Sequence, residues 1–289
     1  MASRKPDLSI TALYTSATWS WGRLSQADLY QTREARIVFA VTNFVLLITR
    51  LFMWSLRSLK HSLLHRHTMI DHVLEDDSPP QVLELASGLS RRGAHFTEDA
   101  SLQYTEIDLP AVIDTKKMLL DRTSAGQEVA QRENFKLVSG DVSSLELAPL
   151  RDPTQPLFII AEGLCMYLKP HEQRALWKRL ADLLTQGKGG TFVFDLVPWV
   201  EQPKPGPIGR ALEWLMKRFT GGKAFERDLR TRDDIVADLE SAGFTQVHPL
   251  EPADISEAWN LPFPRHRTQQ VLYVCRLDLT ATRVQSTIQ

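Results

Sequence analysis

Three acidic residues and one turn of small residues each follow a short apolar run. The acids are Asp108, Asp141 and Glu162, and the turn is Ala86-Ser87-Gly88 after the run Val82–Leu85. Because the carboxyl ends of parallel strands meet at one edge of an open sheet, the three acids are expected to face a common cleft. Small residues let backbone amides approach a ligand closely. Asp108 also follows Gly88 by 20 residues (88 to 108), where a ribose would present its hydroxyls, so the pattern predicts a site for a nucleotide-type ligand.

The turn lacks part of the dinucleotide-binding fingerprint. The pattern G-x-G-x-x-G would place glycines at the positions of Ala86 and Arg91. The expected ligand therefore has no pyrophosphate. S-adenosylmethionine, which carries an adenosine and a methionyl sulfonium but no phosphate, fits this description, and an ordinary strand-to-helix turn is the alternative.

The bulk composition limits the class of protein. The 289 residues, 43% of them hydrophobic, suffice for one large α/β domain, or for such a domain with an appended cap. A formal net charge of −1 gives no global basic field for phosphates, so no nucleic-acid partner is expected. Cys165 and Cys275 lack metal-ligand spacing, which predicts buried reduced thiols, no metal site and a cytoplasmic location.

The first fifty residues contain no predicted export signal or membrane span. Residues 1–11 are polar and lack the apolar core of a secretory signal. The apolar run Ile37–Ile48 is interrupted by Thr42 and Asn43 and followed by Arg50, well short of the ~20 residues that span a bilayer. We expect a buried or amphipathic helix there, with association with a membrane surface as the lesser alternative.

Strand-like and helical patterns alternate over the rest of the chain. Helical patterns from about Gln26 to Leu74 end at the run Asp76–Pro80, before the first strand. Later helical patterns at Ala111–Arg122 and His171–Leu184 separate strands, and this alternation is typical of a parallel sheet. The predicted strands are Val82–Leu85, Leu102–Ile107, Phe135–Ser139, Leu157–Ala161, Thr191–Leu196, Thr245–His248 and Gln270–Leu277.

The segment after the fifth strand interrupts this alternation. Pro198–Gly222 contains four prolines and a short amphipathic piece around Trp214. Loops of this length are usually lids or binding segments, although a docked surface excursion is nearly as common. We expect a lid insertion over residues 198–230, followed by a helix that Thr231 caps and Gly243 ends.

Motifs over most of the chain resemble one known family. They are Glu84-Leu85-Ala86-Ser87-Gly88-Leu89-Ser90, Glu106 with Asp108-Leu109-Pro110, and Ala161-Glu162-Gly163-Leu164 with Met166-Tyr167-Leu168, together with Thr11, Ala12, Tyr14, Arg66, Asp71 and Lys116. The chain resembles the leucine carboxyl methyltransferase family of class I S-adenosylmethionine-dependent methyltransferases, and particularly its bacterial polyketide O-methyltransferase-like branch. The segment from Glu162 to Leu168 is the most specific element, because generic class I methyltransferases do not require it.

The resemblance implies a fold and a cofactor. The fold is α/β, a Rossmann-like class I methyltransferase sheet of seven mostly parallel strands with an N-terminal helical cap and the lid insertion after strand five. The cap would be residues 1–78, and the core that binds S-adenosyl-L-methionine and releases S-adenosyl-L-homocysteine would be residues 79–289. The family turn more commonly has a second glycine and an Asp-Thr-Arg triplet, where this chain has Ser90-Arg91-Arg92.

The resemblance also implies roles for single residues. Arg66 would pair with the carboxylate of the methionine moiety, and Glu162 would lie near its amino group. Asp108 would hold the ribose, while Asp141 and Val142 would face the adenine. The expected cofactor-binding residues are Arg66, Glu84, Ala86, Gly88, Asp108, Leu109, Asp141, Val142 and Glu162.

Each of these roles has a structural alternative. Arg66 could be a solvated helix residue, Asp108 a helix N-cap and Asp141 part of an ordinary turn. Tyr167 is expected either to contact the substrate or to be a core aromatic residue whose hydroxyl finds a local partner.

The predicted reaction is in-line methyl transfer to a carboxyl, phenolic or hydroxyl oxygen of a small-molecule acceptor, aromatic or carboxylate in character. A carboxylate is ionised near neutral pH and needs no base, whereas a phenol with a pKa near 10 would benefit from one. The alternatives are a catalytically degenerate cofactor-binding or interaction protein and, less favoured because of the missing glycines, a nicotinamide-dependent oxidoreductase.

Overall fold

The computed structural model describes most of the chain, namely residues 9–52, 59–201, 228–255, 257–266 and 268–279. Most of the expected lid insertion, residues 202–227, lies outside the described residues, so the lid stays a prediction.

A seven-stranded sheet forms the centre of the fold. Its strands are β1 (Gln81–Leu85), β2 (Gln103–Asp108), β3 (Phe135–Ser139), β4 (Leu157–Ala161), β5 (Gly190–Asp195), β6 (Gln246–Leu250) and β7 (Leu272–Leu277). Their spatial order is β3-β2-β1-β4-β5-β7-β6. Strands β1 to β5 run parallel, and β7 is antiparallel to both β5 and β6. The prediction of seven mostly parallel strands is confirmed, each within two residues of its expected bounds.

Nine α-helices lie among the described residues. They are α1 (Ile10–Trp21), α2 (Arg33–Phe52), α3 (Leu59–Asp77), α4 (Arg92–Phe96), α5 (Pro110–Leu120), α6 (Ser124–Ala130), α7 (Pro170–Thr185), α8 (Arg232–Ala242) and α9 (Pro252–Ile255). The expected boundaries of α8 are confirmed, because the Thr231 side chain accepts a hydrogen bond from the Asp234 amide and Gly243 ends the helix with a φ of 120°. No helix within the described ranges is long and apolar enough to cross a bilayer.

Helix α1 corrects the expectation that helical structure begins near Gln26. It starts at Ile10 after the N-cap Ser9, whose hydroxyl accepts from the Ala12 amide. Its buried face contains serines and threonines rather than a regular apolar stripe. The hydroxyls of Thr15 and Thr18 bond back to carbonyls four residues earlier, which lets these two threonines pack inward with their hydroxyls paired.

Helices cover both faces of the sheet. Central strands β1 and β4 are buried at every position, as expected when both faces are covered. On one face Trp177 of α7 and Leu239 of α8 join the core, and on the other face Met69 and Ile70 of α3 do so. Helix α3 therefore shares a core with the sheet, and the division into a cap (1–78) and a core (79–289) stays a prediction.

Candidate functional site

The strand order creates a switch point between β1 and β4. From β1 the chain builds the sheet outward through β2 to β3, and it then returns to the other side of β1 to add β4 and β5. In open α/β sheets, ligands bind in the crevice at the carboxyl ends of the strands beside such a point. The turn that begins at Ala86 follows β1, and Glu162 follows β4, so both lie at this crevice.

The turn after β1 leaves open space at the edge of the sheet. Its backbone is left-handed at Ala86 (φ 51°) and at Gly88 (φ 55°). A Cβ atom added to Gly88 would meet nothing within 4 Å among the described residues. The turn therefore offers a place where a ligand can contact the backbone closely.

The left-handed backbone at Ala86 leads to a testable prediction about stability. An L-residue other than glycine costs about 1–2 kcal/mol in this region, partly offset by glycine's greater loss of entropy on folding. We expect Ala86→Gly to raise the free energy of unfolding by about 0.5–1 kcal/mol in urea denaturation. The control Ala111→Gly, at an exposed helical position, should lower it. A loss of stability in Ala86→Gly would contradict strain at this position.

Asp108 is fixed beside this turn. Its Oδ2 accepts from the Gly88 amide at 2.6 Å, and its Oδ1 accepts from the Leu109 amide at 2.7 Å. Burial raises the pKa of this carboxyl. The N-cap of α5 is Leu109, so Asp108 is not the cap that was its structural alternative. Each carboxylate oxygen has a further lone pair for a ligand.

The structure places Asp141 and Val142 beyond the end of β3. The Oδ1 of Asp141 accepts from the amide and the hydroxyl of Ser143, at 2.8 and 2.7 Å, so this exposed residue does form a local turn. Val142 is buried in the core. The role of this pair toward an adenine stays a prediction.

A group of buried charged side chains crosses the switch point, and we call it the ion-pair cluster. Its members are Arg66, His67 and Asp71 of α3, Glu84 of β1, Arg91 and Arg92 at the start of α4, Glu162 after β4, and Asp195 at the end of β5. No side chain of the cluster is more than 9% exposed. Buried charges persist only when paired, so their mutual geometry determines the local structure.

Arg92 contacts the largest number of cluster members. Its Nε lies 2.6 Å from Asp71 Oδ1, and its Nη1 lies 2.9 Å from Glu84 Oε1 and 2.7 Å from Glu162 Oε2. Its Nη2 donates to the His67 carbonyl at 3.0 Å. Burial alone would lower the pKa of Arg92, but the carboxylates of Glu162 and Glu84 outweigh it and raise that pKa. Arg92 thus remains a cation that holds three acids together.

Arg66 is the second cation at the crevice. Its Nε donates to Glu162 Oε1 at 2.8 Å, and its Nη1 donates to Asp195 Oδ2 at 3.1 Å. Gly163, with a φ of 68°, donates its amide to Asp195 Oδ1 at 2.5 Å, and an added Cβ there would come within 3.3 Å of Arg66 Nη2. Because Arg66 is buried, the alternative of a solvated helix residue is wrong. Its contact with a cofactor stays a prediction.

Glu162 and His67 share a hydrogen bond of 2.9 Å between Oε2 and Nδ1. Burial would raise the pKa of Glu162, but the charge of Arg92 and its other partners hold that pKa well below its usual range. Burial, and then the charge of Arg92, lower the pKa of His67 well below its usual range. The Nε2 of His67 accepts from Arg91 Nε at 3.3 Å, so this histidine is neutral and donates from Nδ1 to Glu162.

The neutral state of His67 makes stability depend on pH. Below its ordinary pKa of 6.5 the unfolded chain takes up a proton that the folded chain excludes. The contribution of His67 to the free energy of unfolding is therefore fully present above pH 6.5 and is lost as the pH falls. Between pH 6.5 and 5, the free energy of unfolding of the wild type should fall, relative to His67→Gln, by up to about 1.4 kcal/mol per pH unit. Equal slopes for the wild type and His67→Gln would contradict the prediction.

Further buried polar contacts involve side chains of β1 and β2. Glu84, expected to bind the cofactor, accepts from the Tyr104 hydroxyl at 2.8 Å as well as from Arg92. Lys116 pairs with Glu106, a pair buried on every side. Burial raises the pKa of Glu106 to about 7, although Lys116 acts in the opposite direction. Both carboxylate oxygens of Glu84 thus have partners within the protein, and its direct contact with a cofactor stays a prediction.

Tyr167 lies at the end of the short 3-10 turn Cys165–Tyr167, which follows β4 and Glu162. Leu164 and Met166 on either side of Cys165 pack against the core and fix this turn. Tyr167 itself is partly buried, and its contact with a substrate stays a prediction.

Sequence reasoning missed five members of the cluster as site residues, namely His67, Asp71, Arg91, Arg92 and Asp195. Asp195 lies at the carboxyl end of the strand β5, as the three predicted acids lie at the ends of their strands. The rule that such acids face the crevice therefore also predicts Asp195. His67 and the two arginines follow no such rule. Among the described residues, no group of three His, Cys, Asp or Glu side chains could hold a metal ion.

A family model described as leucine carboxyl methyltransferase matches residues 27–181. The chain belongs to the leucine carboxyl methyltransferase family. This confirms the family expected from the motifs, and the match contains the turn after β1, Asp108 and Glu162. Membership of the polyketide O-methyltransferase-like branch stays a prediction.

Curated relatives match part of their own length. A candidate S-adenosyl-L-methionine-dependent methyltransferase of Mycolicibacterium paratuberculosis is 31% identical over 203 residues, which cover 67% of this chain and 64% of that protein. A second such protein, of Mycobacteroides abscessus, is 34% identical over 107 residues, which cover 37% of this chain and 34% of that protein. The chain thus spans between a third and two thirds of the length of these relatives.

A solved structure supports the fold. A possible exported protein from Bordetella parapertussis superposes with a TM-score of 0.57 at 16% identity, over 95% of this chain and 81% of that one. Together with the strand order, this likeness confirms the predicted Rossmann-like α/β fold.

Proposed function

We propose that this member of the leucine carboxyl methyltransferase family is an S-adenosylmethionine-dependent O-methyltransferase that acts on a carboxyl, phenolic or hydroxyl oxygen of a small molecule. Family membership and the names of the relatives support methyl transfer. The observation that carries the cofactor assignment is the charge of the ion-pair cluster beside the open turn at Gly88.

The cluster has one excess negative charge. Its three arginines face four carboxylates, and His67 is neutral. S-adenosylmethionine carries a net charge of +1, because its sulfonium and ammonium groups outnumber its single carboxylate. A ligand with this charge neutralises the buried excess, whereas the two phosphates of a nicotinamide dinucleotide would add to it. The charge therefore favours the methyl donor over the oxidoreductase cofactor.

The side chains at the crevice fit the two ends of this cofactor. Asp108 would accept the ribose hydroxyls with the lone pairs that Gly88 and Leu109 leave available. Arg66 would pair with the methionyl carboxylate through Nη2, which donates to no acceptor in the described part of the chain. Glu162 would lie near the ammonium group. Asp141 and Val142 would face the adenine, as the family resemblance implies.

The chemistry demanded of the protein is positioning. When bound, S-adenosylmethionine supplies the electrophilic methyl group, and the protein must hold the acceptor oxygen in line with it and exclude water. A carboxylate acceptor, which the family description favours, is ionised near neutral pH and needs no base. Tyr167, in the turn after Glu162, is the residue proposed to contact the acceptor. The buried free thiols of Cys165 and Cys275 support the proposed cytoplasmic location.

Calorimetry with the purified chain tests the cofactor assignment. In the presence of a chelator, S-adenosylmethionine and S-adenosylhomocysteine should each give binding heat, and NAD should give none. Heat with NAD alone would identify a nicotinamide-dependent protein instead.

Mass spectrometry tests the reaction. A panel of carboxylates and phenols incubated with S-adenosylmethionine should give at least one methylated product with equal formation of S-adenosylhomocysteine. Cofactor binding without any turnover across the panel would favour the alternative, a catalytically degenerate binding protein.

A further inference from the structure

The outward face of α2 is apolar and exposed. Its side chains are between 36% and 63% exposed, and we call them the outer apolar stripe: Ile37, Val41, Phe44, Val45 and Leu47. Their spacing places them on one side of the helix. The sequence from Ile37 to Thr49 contains no charged residue. Contiguous exposed apolar surface on a folded protein marks an interaction site.

The inner face of α2 is already occupied. Phe39 stacks on Tyr14 of α1, with ring centroids 5.4 Å apart. The Tyr14 hydroxyl donates to Asn43 Oδ1 at 3.4 Å. These contacts fix the rotation of α2 about its axis, so the outer apolar stripe is not a core face that has been turned outward.

Charge is distributed unevenly along the chain. The first 60 residues contain eight Lys and Arg but three Asp and Glu, a net charge of +5. The remaining 229 residues contain 26 Lys and Arg and 32 Asp and Glu, a net charge of −6. Among the described basic residues of this N-terminal part, Arg33 and Arg36 are exposed at the start of α2, next to the stripe. An apolar face beside basic residues complements a surface that is both apolar and anionic.

We propose that the outer apolar stripe docks on the surface of an anionic lipid bilayer, with the stripe at the level of the headgroups and upper acyl chains. Arg33 and Arg36 contact lipid phosphates. A second copy of the chain is a poorer occupant, because a symmetric contact through this face would bring the exposed Arg33 and Arg36 of two copies together. The proposal concerns a surface distinct from the ion-pair cluster and does not depend on methyl transfer.

Vesicle co-sedimentation of the full chain tests this proposal. The protein should pellet with vesicles of phosphatidylcholine and phosphatidylserine, less with phosphatidylcholine alone, and less again as salt is raised. Phe44→Asp should reduce binding to the mixed vesicles by at least about tenfold, since burial of a single phenylalanine side chain is enough to change an affinity by that factor. The control Met118→Asp, at an exposed apolar position of α5, should bind as the wild type does.

A second pair of substitutions tests the charge. Arg33→Glu combined with Arg36→Glu should remove the preference for phosphatidylserine while leaving the far-ultraviolet circular dichroism unchanged. If Phe44→Asp does not fold, Val41→Gln at the neighbouring exposed position provides the apolar test.

Three results would overturn the proposal. The first is no pelleting of the wild type with either vesicle. The second is wild-type binding by the folded stripe variants. The third is a wild-type dimer in size-exclusion chromatography with light scattering that Phe44→Asp converts to a monomer, because the stripe would then be an interface between copies.

Discussion

An Arg92→Leu variant is expected to lose about 3–5 kcal/mol of folding free energy, a large part of the roughly 5–15 kcal/mol that stabilises a typical domain. The substitution removes the cation that contacts Asp71, Glu84 and Glu162 and leaves their carboxylates buried. The lost hydrogen bonds alone would have a smaller effect. Most of the expected loss comes from acids that are left without their partner.

Urea denaturation followed by circular dichroism measures this loss. Arg92→Lys, which keeps the charge but not the planar fork, should fall between the wild type and Arg92→Leu. The matched control Arg174→Leu removes an exposed ion pair with Asp238 and should change stability by less than about 1 kcal/mol. In Arg92→Leu the unpaired acids bind protons more tightly in the folded state, so its deficit should shrink as the pH falls. A loss no larger than that of Arg174→Leu would show that the cluster does not stabilise the fold.

Asp108→Asn is expected to weaken the binding of S-adenosylmethionine by about 1–3 kcal/mol, which is about 5- to 150-fold in the dissociation constant. The carboxylate has one lone pair on each oxygen left for the ribose after the Gly88 and Leu109 amides are satisfied. An asparagine offers a single acceptor oxygen, so it cannot hold the turn and the ribose in the same way. Asparagine is preferable to alanine because it keeps one of the two backbone contacts.

Calorimetry on the folded variant provides the measurement. The matched control is Asp152→Asn, since Asp152 is an exposed acid that also accepts a backbone amide, that of Thr154, but precedes β4 at the opposite edge of the sheet. This control should bind the cofactor as the wild type does. If a folded Asp108→Asn protein keeps wild-type affinity, the ribose lies elsewhere.

The sheet could be predicted from the sequence because local pattern determines it. Runs such as Leu157–Ala161 are apolar at every position, as buried central strands must be, and turn residues mark where they end. Helix α1 was missed because its buried threonines satisfy their hydroxyls only through the helical backbone itself. A pattern of apolar spacing does not reveal such a helix.

Only the part of the site that depends on local sequence could be predicted. The position of Asp108 follows from one local rule, because it lies at the end of a predicted strand and 20 residues after Gly88. The burial of Arg92 depends on acids from α3, β1 and the turn after β4, which the sequence does not bring together. Tertiary partners therefore determine the ion-pair cluster, whereas local sequence determines the strand-end acids.

The links from Arg66 to Glu162 and Asp195 join residues 96 and 129 positions apart. Contacts of such long range form late, since the chain between them must be ordered first. During synthesis, Arg66 lacks its last partner until the whole of β5 has emerged from the ribosome. A nascent chain that ends after β4 but before Asp195 can form β1 to β4, but it retains an incomplete cluster of buried charge. The crevice is thus a part of the molecule that matures late, and truncation between β4 and β5 produces a chain with the first four strands but without a finished site.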